Sequence, residues 1–410
     1  MCNFAKGFFM SDFSNLNRWF FQHVAQTSSQ PLAIEIDKAQ GMYLYSSNKT
    51  YIDCISGIAV SNLGHANPII NEAIINQLNK HTHLMVYGEI IQSPQVQLAH
   101  KLAQHLPSNL SQTYFVNSGS EAIEGAMKLA KRYTGRHRFI AQKNAYHGST
   151  HGALSLMSDS YFSNAFTPLI NGIDFINQNE INEIDKLITN ETAAVFIEPI
   201  MGEVGYLPCN LEYLKAVRNR CNETGALLIF DEIQSGYGRT GKLFAFQHDE
   251  IIPDVLIVAK AFGAGLPLGA FISSPSIMSC LIDNPVLGHI TTYGGNPVCC
   301  AASLSALNYI VESGILNTIS IKETAFKNHL KHPLIKSITG KGLMLAIEFE
   351  DPVFCRKVID LCVEKGLLID WFLYNESKIR LCPPLIIHED EIKKICGIII
   401  ESIHDIDATF

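Results

Sequence analysis

Three short apolar runs, each closed by a charged residue, restrict this chain more than anything else in it. Ala193 to Ile197 ends on Glu198, Ala226 to Phe230 on Asp231, and Val255 to Ala259 on Lys260. Runs of this length bounded by polar residues fit strands buried on both faces, as parallel strands are. In an open sheet of that kind, ligands bind just beyond the carboxyl ends of the strands. An acid and a lysine therefore project into one crevice. Strand–helix alternation from about residue 113 to 272 predicts an α/β unit around it.

The rest of the chain reads outward from that unit. Residues 11–30 place Trp19, Phe20, Phe21 and His23 at roughly helical spacing, which predicts a short helix packed into a core or an interface. Residues 31–55 alternate apolar and polar around Gln40-Gly41 and Ser46-Ser47-Asn48, the pattern of a small antiparallel sheet. Helices are expected over 69–81, 92–105, 211–223 and 297–312, and strands over 113–116, 138–141 and 268–272. A well-marked helix follows Asn117-Ser118-Gly119-Ser120-Glu121. Ser118 and Glu121 have the spacing of a capping box, Ala122, Ala126, Leu129, Ala130 and Tyr133 share a face, and Gly135 stops it. Beyond residue 313 the pattern becomes helix, strand, helix, strand, helix, ending at about 404, which suggests a separate α+β lobe.

With 410 residues, 47% of them hydrophobic and 17% charged, this is a folded chain long enough for two lobes. A net charge of −8 and the lack of a dense basic stripe disfavour nucleic acid as a partner. The one long apolar tract, residues 255–273, contains Lys260, Pro267 and several glycines, so it reads as strand, loop, strand and not as a membrane span. Eleven scattered cysteines, none in CxxC spacing, fit a reduced, cytoplasmic thiol set, and no metal site is expected. The first residues have no secretory pattern, and Met10 is an alternative start to Met1.

The chemistry-bearing residues each have a plain alternative. Lys260 is either a solvated strand-end lysine or an amine whose pKa burial lowers, fit to form a Schiff base and then move a proton. Its place in an apolar tract before a glycine-rich turn favours the second. Asp231 either caps a turn or holds a protonated ring nitrogen, and that pairing with a lysine is what pyridoxal phosphate requires. Gln234 is a loop residue or a hydrogen-bond partner of the ring hydroxyl. Ser118-Gly119-Ser120 is an ordinary helix start or a phosphate cradle made of free N–H groups and the positive dipole end, with Glu121 competing against an anion. Tyr146 packs in the core or stacks on a flat ring; His147 beside it reads as structural. Arg380, inside the apolar strand Ile379 to Cys382, is an arginine that needs a partner: a substrate carboxylate, or an internal acid, Glu198 or Glu203.

Taken together, the stretches YIDCISGIAVSNLGHANP, FVNSGSEAIEGAMKLAKRYTGR, AYHGSTHGALS, FIEPIMGEVG, LLIFDEIQSGYGRTGKLFAFQH, PDVLIVAKAFGAGLPLGAF, GHITTYGGNP, GKGLMLAIEFE and IRLCPPL resemble the class III, fold-type-I pyridoxal-phosphate aminotransferases, the acetylornithine, ornithine and 4-aminobutyrate group. The resemblance runs from about Ala33 to about Ile387. It implies a large cofactor-binding domain with a mostly parallel seven-stranded sheet between helices, residues 62–309. It also implies a smaller α+β domain built from residues 1–61 and 310–410. It further implies that Lys260 carries the Schiff base, Asp231 meets the pyridinium nitrogen and Gln234 the ring oxygen. Gly119 and Ser120 hold the phosphate from one subunit and Thr292 from the other, so the active unit is a homodimer, and Tyr146 stacks on the ring. Arg380 binds the substrate α-carboxylate, and Glu203 pairs with Arg380 until glutamate enters.

Two positions depart from that pattern. Ser149 stands where ornithine- and 4-aminobutyrate-type members often have an arginine for a substrate carboxylate, and Met201 stands where glutamine is usual. The expected activity is transfer of an amino group from an ω-amino acid or similar primary amine to 2-oxoglutarate, by a ping-pong mechanism. An aminomutase, a racemase or a decarboxylating relative is the alternative that keeps the cofactor; a non-catalytic protein of the same fold is the third.

Overall fold

The computed structural model describes residues 15–86 and 88–408; the alternative start at Met10 lies outside them. Its centre is a seven-stranded sheet. The strands in chain order are β4 (Gln112–Val116), β5 (Arg138–Gln142), β6 (Ile173–Ile176), β7 (Thr192–Ile197), β10 (Leu227–Asp231), β11 (Val255–Val258) and β12 (Gly269–Ser273). The spatial order is β4-β12-β11-β10-β7-β5-β6. Every neighbouring pair is parallel except the two that involve β12. The three charge-terminated runs are adjacent: β7, β10 and β11 lie side by side with every residue buried. Continuous burial explains why they are apolar throughout and not alternating.

The helix Gly119–Thr134 crosses one face of this sheet. Ala122, Ile123, Ala126, Met127, Leu129 and Ala130 are buried against Phe139, Phe196, Ile257 and Phe271. Each large side chain buried there contributes about 1.5–3 kcal/mol. Tyr133, in the last turn, is not buried with them; it is 46% exposed, and Gly135 ends the helix at φ +69°. The capping box is also only half formed. Ser118 Oγ accepts from the Glu121 amide at 3.2 Å, but the Glu121 carboxylate reaches past Ser118 to the amide and side chain of Asn117, at 2.7 and 2.8 Å.

Between β10 and β11 the chain makes no α-helix, only a 3-10 turn at Ala245–His248, so the expected strand–helix–strand step is a loop crossing. Glu232 holds that loop: its buried carboxylate accepts from the amides of Ala245 and Phe246. Polar loop residues thus satisfy the backbone that a helix would have satisfied.

Two four-stranded sheets and one two-stranded hairpin accompany the central sheet. At the start of the chain, β1 (Lys38–Gln40), β2 (Tyr43–Tyr45) and β3 (Thr50–Asp53) form the expected antiparallel sheet. A hairpin of two-residue strands, β8 (Ile200–Met201) with β9 (Leu207–Pro208), comes after β7. The last hundred residues give β13 (Ser337–Lys341), β14 (Met344–Glu348), β15 (Leu367–Leu368), β16 (Asp370–Phe372) and β17 (Asn375–Leu381). β15 joins the first sheet, parallel to β3, and the other four make an antiparallel sheet in the order β13-β14-β17-β16.

The expected aromatic helix is present as Asn15–His23, but no residue in it is buried; Trp19 and Phe21 are about half exposed, so it takes no part in the core of its own chain. Among the described residues no single helix is long and apolar enough to cross a membrane.

Candidate active site

A cavity of about 410 Å³ opens at the carboxyl edge of the central sheet. Residues at or just beyond the ends of the strands make its wall: Asn117 to Ser120 after β4, Tyr146 to Gly148 after β5, Glu198 after β7, Asp231, Ile233 and Gln234 at β10, and Ala259 and Lys260 after β11. Because β12 runs the other way, the residues before it, Gly265 to Leu268, complete the ring. The topology thus brings Lys260, Asp231, Gly119, Ser120, Tyr146, Gln234 and Glu198 to one space.

Lys260 stands just past β11 at φ +52°, a left-handed conformation unusual outside glycine. Such strain collects where a side chain must be aimed. Burial pushes its amine down to about 8; Arg380 adds to the fall, while Glu203, Asp231 and Glu198 oppose it. An amine of that pKa is free of its proton in a useful fraction near neutrality, as a nucleophile or base needs.

Asp231 is held from two sides. Oδ1 accepts from the Ile233 amide at 3.0 Å, and Oδ2 lies 2.7 Å from His147 Nδ1. His147 is therefore more than a structural neighbour of Tyr146. Burial disfavours its imidazolium, but the hydrogen bond and charge of Asp231, with Glu198 beyond, raise its pKa overall. No local spacing announces this pair, since 84 residues separate its members and β5 lies two strands from β10.

The start of the helix Gly119–Thr134 forms another part of the wall. By position, the amides of Gly119 and Ser120 are among those a helix leaves unpaired at its N-terminus. The competing charge expected from Glu121 is tied to Asn117, and Glu121 does not line the cavity. Backbones approach closely here. A Cβ on Gly119 would lie 2.6 Å from Ile233 Cδ1, and one on Gly148, at φ +128°, would collide with Ser120 Oγ.

Glu198 does not pair with Arg380. Its two oxygens accept from the amides of Tyr146 and Gly202, both at 2.9 Å, and burial raises its carboxyl to about 7. Arg380 meets Glu203 instead, Nη2 to Oε2 at 2.6 Å. Asp370, not anticipated from the sequence, is a second acid beside it, 3.2 Å from Nε. Gln234 joins the two zones: it lines the cavity and donates from Nε2 to Glu203 Oε1 at 3.1 Å. Tyr146 Oη lies 3.2 Å from Ser149 Oγ. Thr292 is exposed and does not line this cavity; its neighbour Thr291 accepts from Asn117 Nδ2 at 2.9 Å.

A helix N-terminus for an anion, an acid for a ring nitrogen and a depressed lysine for an aldehyde bound one space, and nothing among those residues conflicts with a phosphorylated pyridine aldehyde. Fold and site together define a pyridoxal-phosphate enzyme of the α/β type. The model for the family described as aminotransferase class III matches residues 24–403. The acetylornithine aminotransferase of Clostridium acetobutylicum is 37% identical over 384 residues, which cover 90% of this chain and 96% of that one. That of Archaeoglobus fulgidus is 36% identical, covering 92% and 98%. Among solved structures, adenosylmethionine-8-amino-7-oxononanoate aminotransferase from Methanocaldococcus jannaschii superposes with a TM-score of 0.89 at 29% identity, covering 95% of this chain and 98% of that one. Ornithine aminotransferase from Toxoplasma gondii, in a crystal with partial occupancy of the cofactor at its active site, gives 0.87 at 27%, covering 96% and 95%. This chain belongs to the class III aminotransferases, and it is a pyridoxal-phosphate-dependent transaminase.

Proposed function

We propose that the chain moves an amino group from a primary amine donor, an ω-amino acid or a related compound, to 2-oxoglutarate, in two half-reactions at one site. Arg380 carries this reading. It is a buried guanidinium whose Nε and Nη1 have no hydrogen-bond partner among the described residues, although Nη2 is engaged by Glu203. Buried donors left over in this way call for an acceptor, and once Glu203 gives up Nη2, the Nη1–Nη2 fork is the one a substrate carboxylate meets with both oxygens. Glu203 fills the place while a donor without an α-carboxylate reacts, and yields it when glutamate or 2-oxoglutarate enters.

Bound in the cavity, pyridoxal phosphate supplies an aldehyde and a cationic ring that draws electrons from the carbon next to the transferred nitrogen. Lys260 is the amine that holds the aldehyde and, once released, moves the proton at its Nζ between neighbouring carbons. Asp231, fixed by His147, keeps the ring nitrogen protonated. Gln234 and Tyr146, which line the cavity, would meet the ring oxygen and a ring face of the bound cofactor. The Gly119 and Ser120 amides receive the phosphate, and Glu198 positions the Tyr146 backbone beside the incoming substrate. Thr292, exposed on its own chain, serves the phosphate of a second copy, which makes the working unit a homodimer; the exposed Trp19 and Phe21 support such a partner.

Ser149 stands where those members often have an arginine for a substrate carboxylate, so the acetylornithine, ornithine and 4-aminobutyrate donors are not carried over as a set. A panel of amine donors with 2-oxoglutarate, reading glutamate formed, tests the proposal. Activity with several donors and parallel double-reciprocal plots are expected. Turnover of one amine with no acceptor present would transfer the chain to the mutase or racemase reading.

A further inference from the structure

Asp370 and Arg380 are cross-strand partners: they occupy facing positions in the antiparallel pair β16–β17. The register of a short hairpin, and not a flexible loop, sets one against the other. Arg380 also donates from Nη2 to the Trp371 carbonyl at 3.3 Å, and its guanidinium lies 4.8 Å from the Phe372 ring centre. So the whole of β16 grips this arginine. Glu203 differs. It sits after the β8 strand, and besides Arg380 it is held by the Gln234 side chain and the Leu373 amide. Glu203 is tied by side-chain contacts that a rotation can exchange; Asp370 is anchored by sheet pairing.

We propose that Asp370 is a specificity-determining residue, a standing second counter-ion of Arg380 that penalises an α-carboxylate in this pocket and so favours amine donors that lack one. The inference rests on the reading of Arg380 as the carboxylate anchor. Charge sets the preference. With Glu203 alone, a substrate carboxylate replaces one acid by another, and the exchange is close to neutral. With Asp370 fixed at 3.2 Å from Nε, the incoming carboxylate shares the one guanidinium with an acid that stays. Like charges this close in a partly dry site repel strongly. Burial and Glu203 raise the Asp370 carboxyl to about 6, against the pull of Arg380, and leave it mostly ionised at neutral pH; Asp53 also faces it. Ion-pair distance without hydrogen-bond alignment, since Asp370 Oδ1 makes no hydrogen bond, leaves Arg380 Nε available to a better-aligned oxygen. The pocket therefore admits glutamate and 2-oxoglutarate at reduced affinity and does not exclude them.

The experiment uses the holoenzyme and glutarate, an unreactive dicarboxylate, with binding followed by calorimetry. Asp370→Asn, nearly isosteric, should tighten glutarate by roughly tenfold or more, lower KM for 2-oxoglutarate in step, and raise the ratio of glutamate to n-propylamine use. Asp370→Ser should move glutarate the same way, which guards against a folding effect of one substitution. Weaker or unchanged glutarate binding in both variants would overturn the proposal, as would an equal gain with glutamate and n-propylamine. Arg380→Met separates this from its premise: it should abolish glutarate binding. If Arg380→Met retains glutarate, the anchor reading itself is wrong; if it loses glutarate while Asp370→Asn matches wild type, only the Asp370 assignment fails.

Discussion

Two regions meet in this site, and they are built on different principles. The floor consists of Lys260, Asp231 and His147, which stand at the carboxyl ends of adjacent or near-adjacent parallel strands in the interior of one sheet. The side pocket consists of Arg380, Glu203 and Asp370, drawn from the four-stranded terminal sheet and the β8–β9 hairpin; none of the three lines the cavity, and Gln234 links them to it. Lys260 and Asp231 are held by strands with every residue buried, and His147 follows a strand buried in all but its first residue, so a volume change of one methylene is felt. In the pocket, Glu203 is held by side-chain contacts that can exchange, while Asp370 and Arg380 are fixed by the pairing of β16 with β17. On the proposed function, the contrast puts the chemistry common to the whole reaction on the buried strands, and the choice of substrate on the cluster where one acid, Glu203, can be exchanged.

Experiments on that contrast run from large effects to small. Lys260→Ala should lower transamination by at least about 10⁴-fold, because it removes both the nucleophile and the base; turnover within tenfold of wild type would place the chemistry on another lysine. Asp231→Asn should cost about 10³-fold in kcat, the scale of losing one preorganised charge, with KM values for both substrates little changed. His147→Gln should cost about 10–100-fold, as removal of an orienting outer partner does. If the floor is rigid, the loss should be the same for every donor; a donor-dependent loss would join His147 to the pocket side.

A pH experiment gives the smallest and most local signal. Burial disfavours the charged form of Lys260, so its deprotonated fraction grows as pH rises through about 8, below the ordinary lysine value of 10.5. The rate at which apoenzyme takes up pyridoxal phosphate should therefore climb with a midpoint near 8. A midpoint near 10 would show that the lysine is solvated and the floor open.

Much of the floor was legible in the sequence, because the signal was local. Val255 to Ala259 with Lys260 is one strand and its end, and Leu227 to Asp231 another; apolar runs report burial directly. The pocket was only partly legible. Glu203 lies 177 residues from Arg380; the residues alone offered it beside Glu198, and only family resemblance chose between the two. Asp370 was missed although its signal exists: ten residues apart, Asp370 and Arg380 face each other once a hairpin is drawn near Tyr374 and Asn375. A bulge between Trp371 and Phe372 shifts that register and blurs the alternation that would otherwise mark the pair. The Glu121 carboxylate was misassigned to its own cap because spacing cannot tell Ser118 from Asn117 as the partner.

The parallel pairing of β15 with β3 sets a schedule for synthesis. Ile52 and Asp53 acquire Leu367 and Leu368 as neighbours only after some 300 further residues have been made. At cellular elongation rates that interval is roughly 15 to 60 s, and throughout it one edge of the nascent amino-terminal sheet stands bare. Bare edges recruit strands from other chains. The brevity of β3, four residues, limits how much such a stray strand gains during the wait.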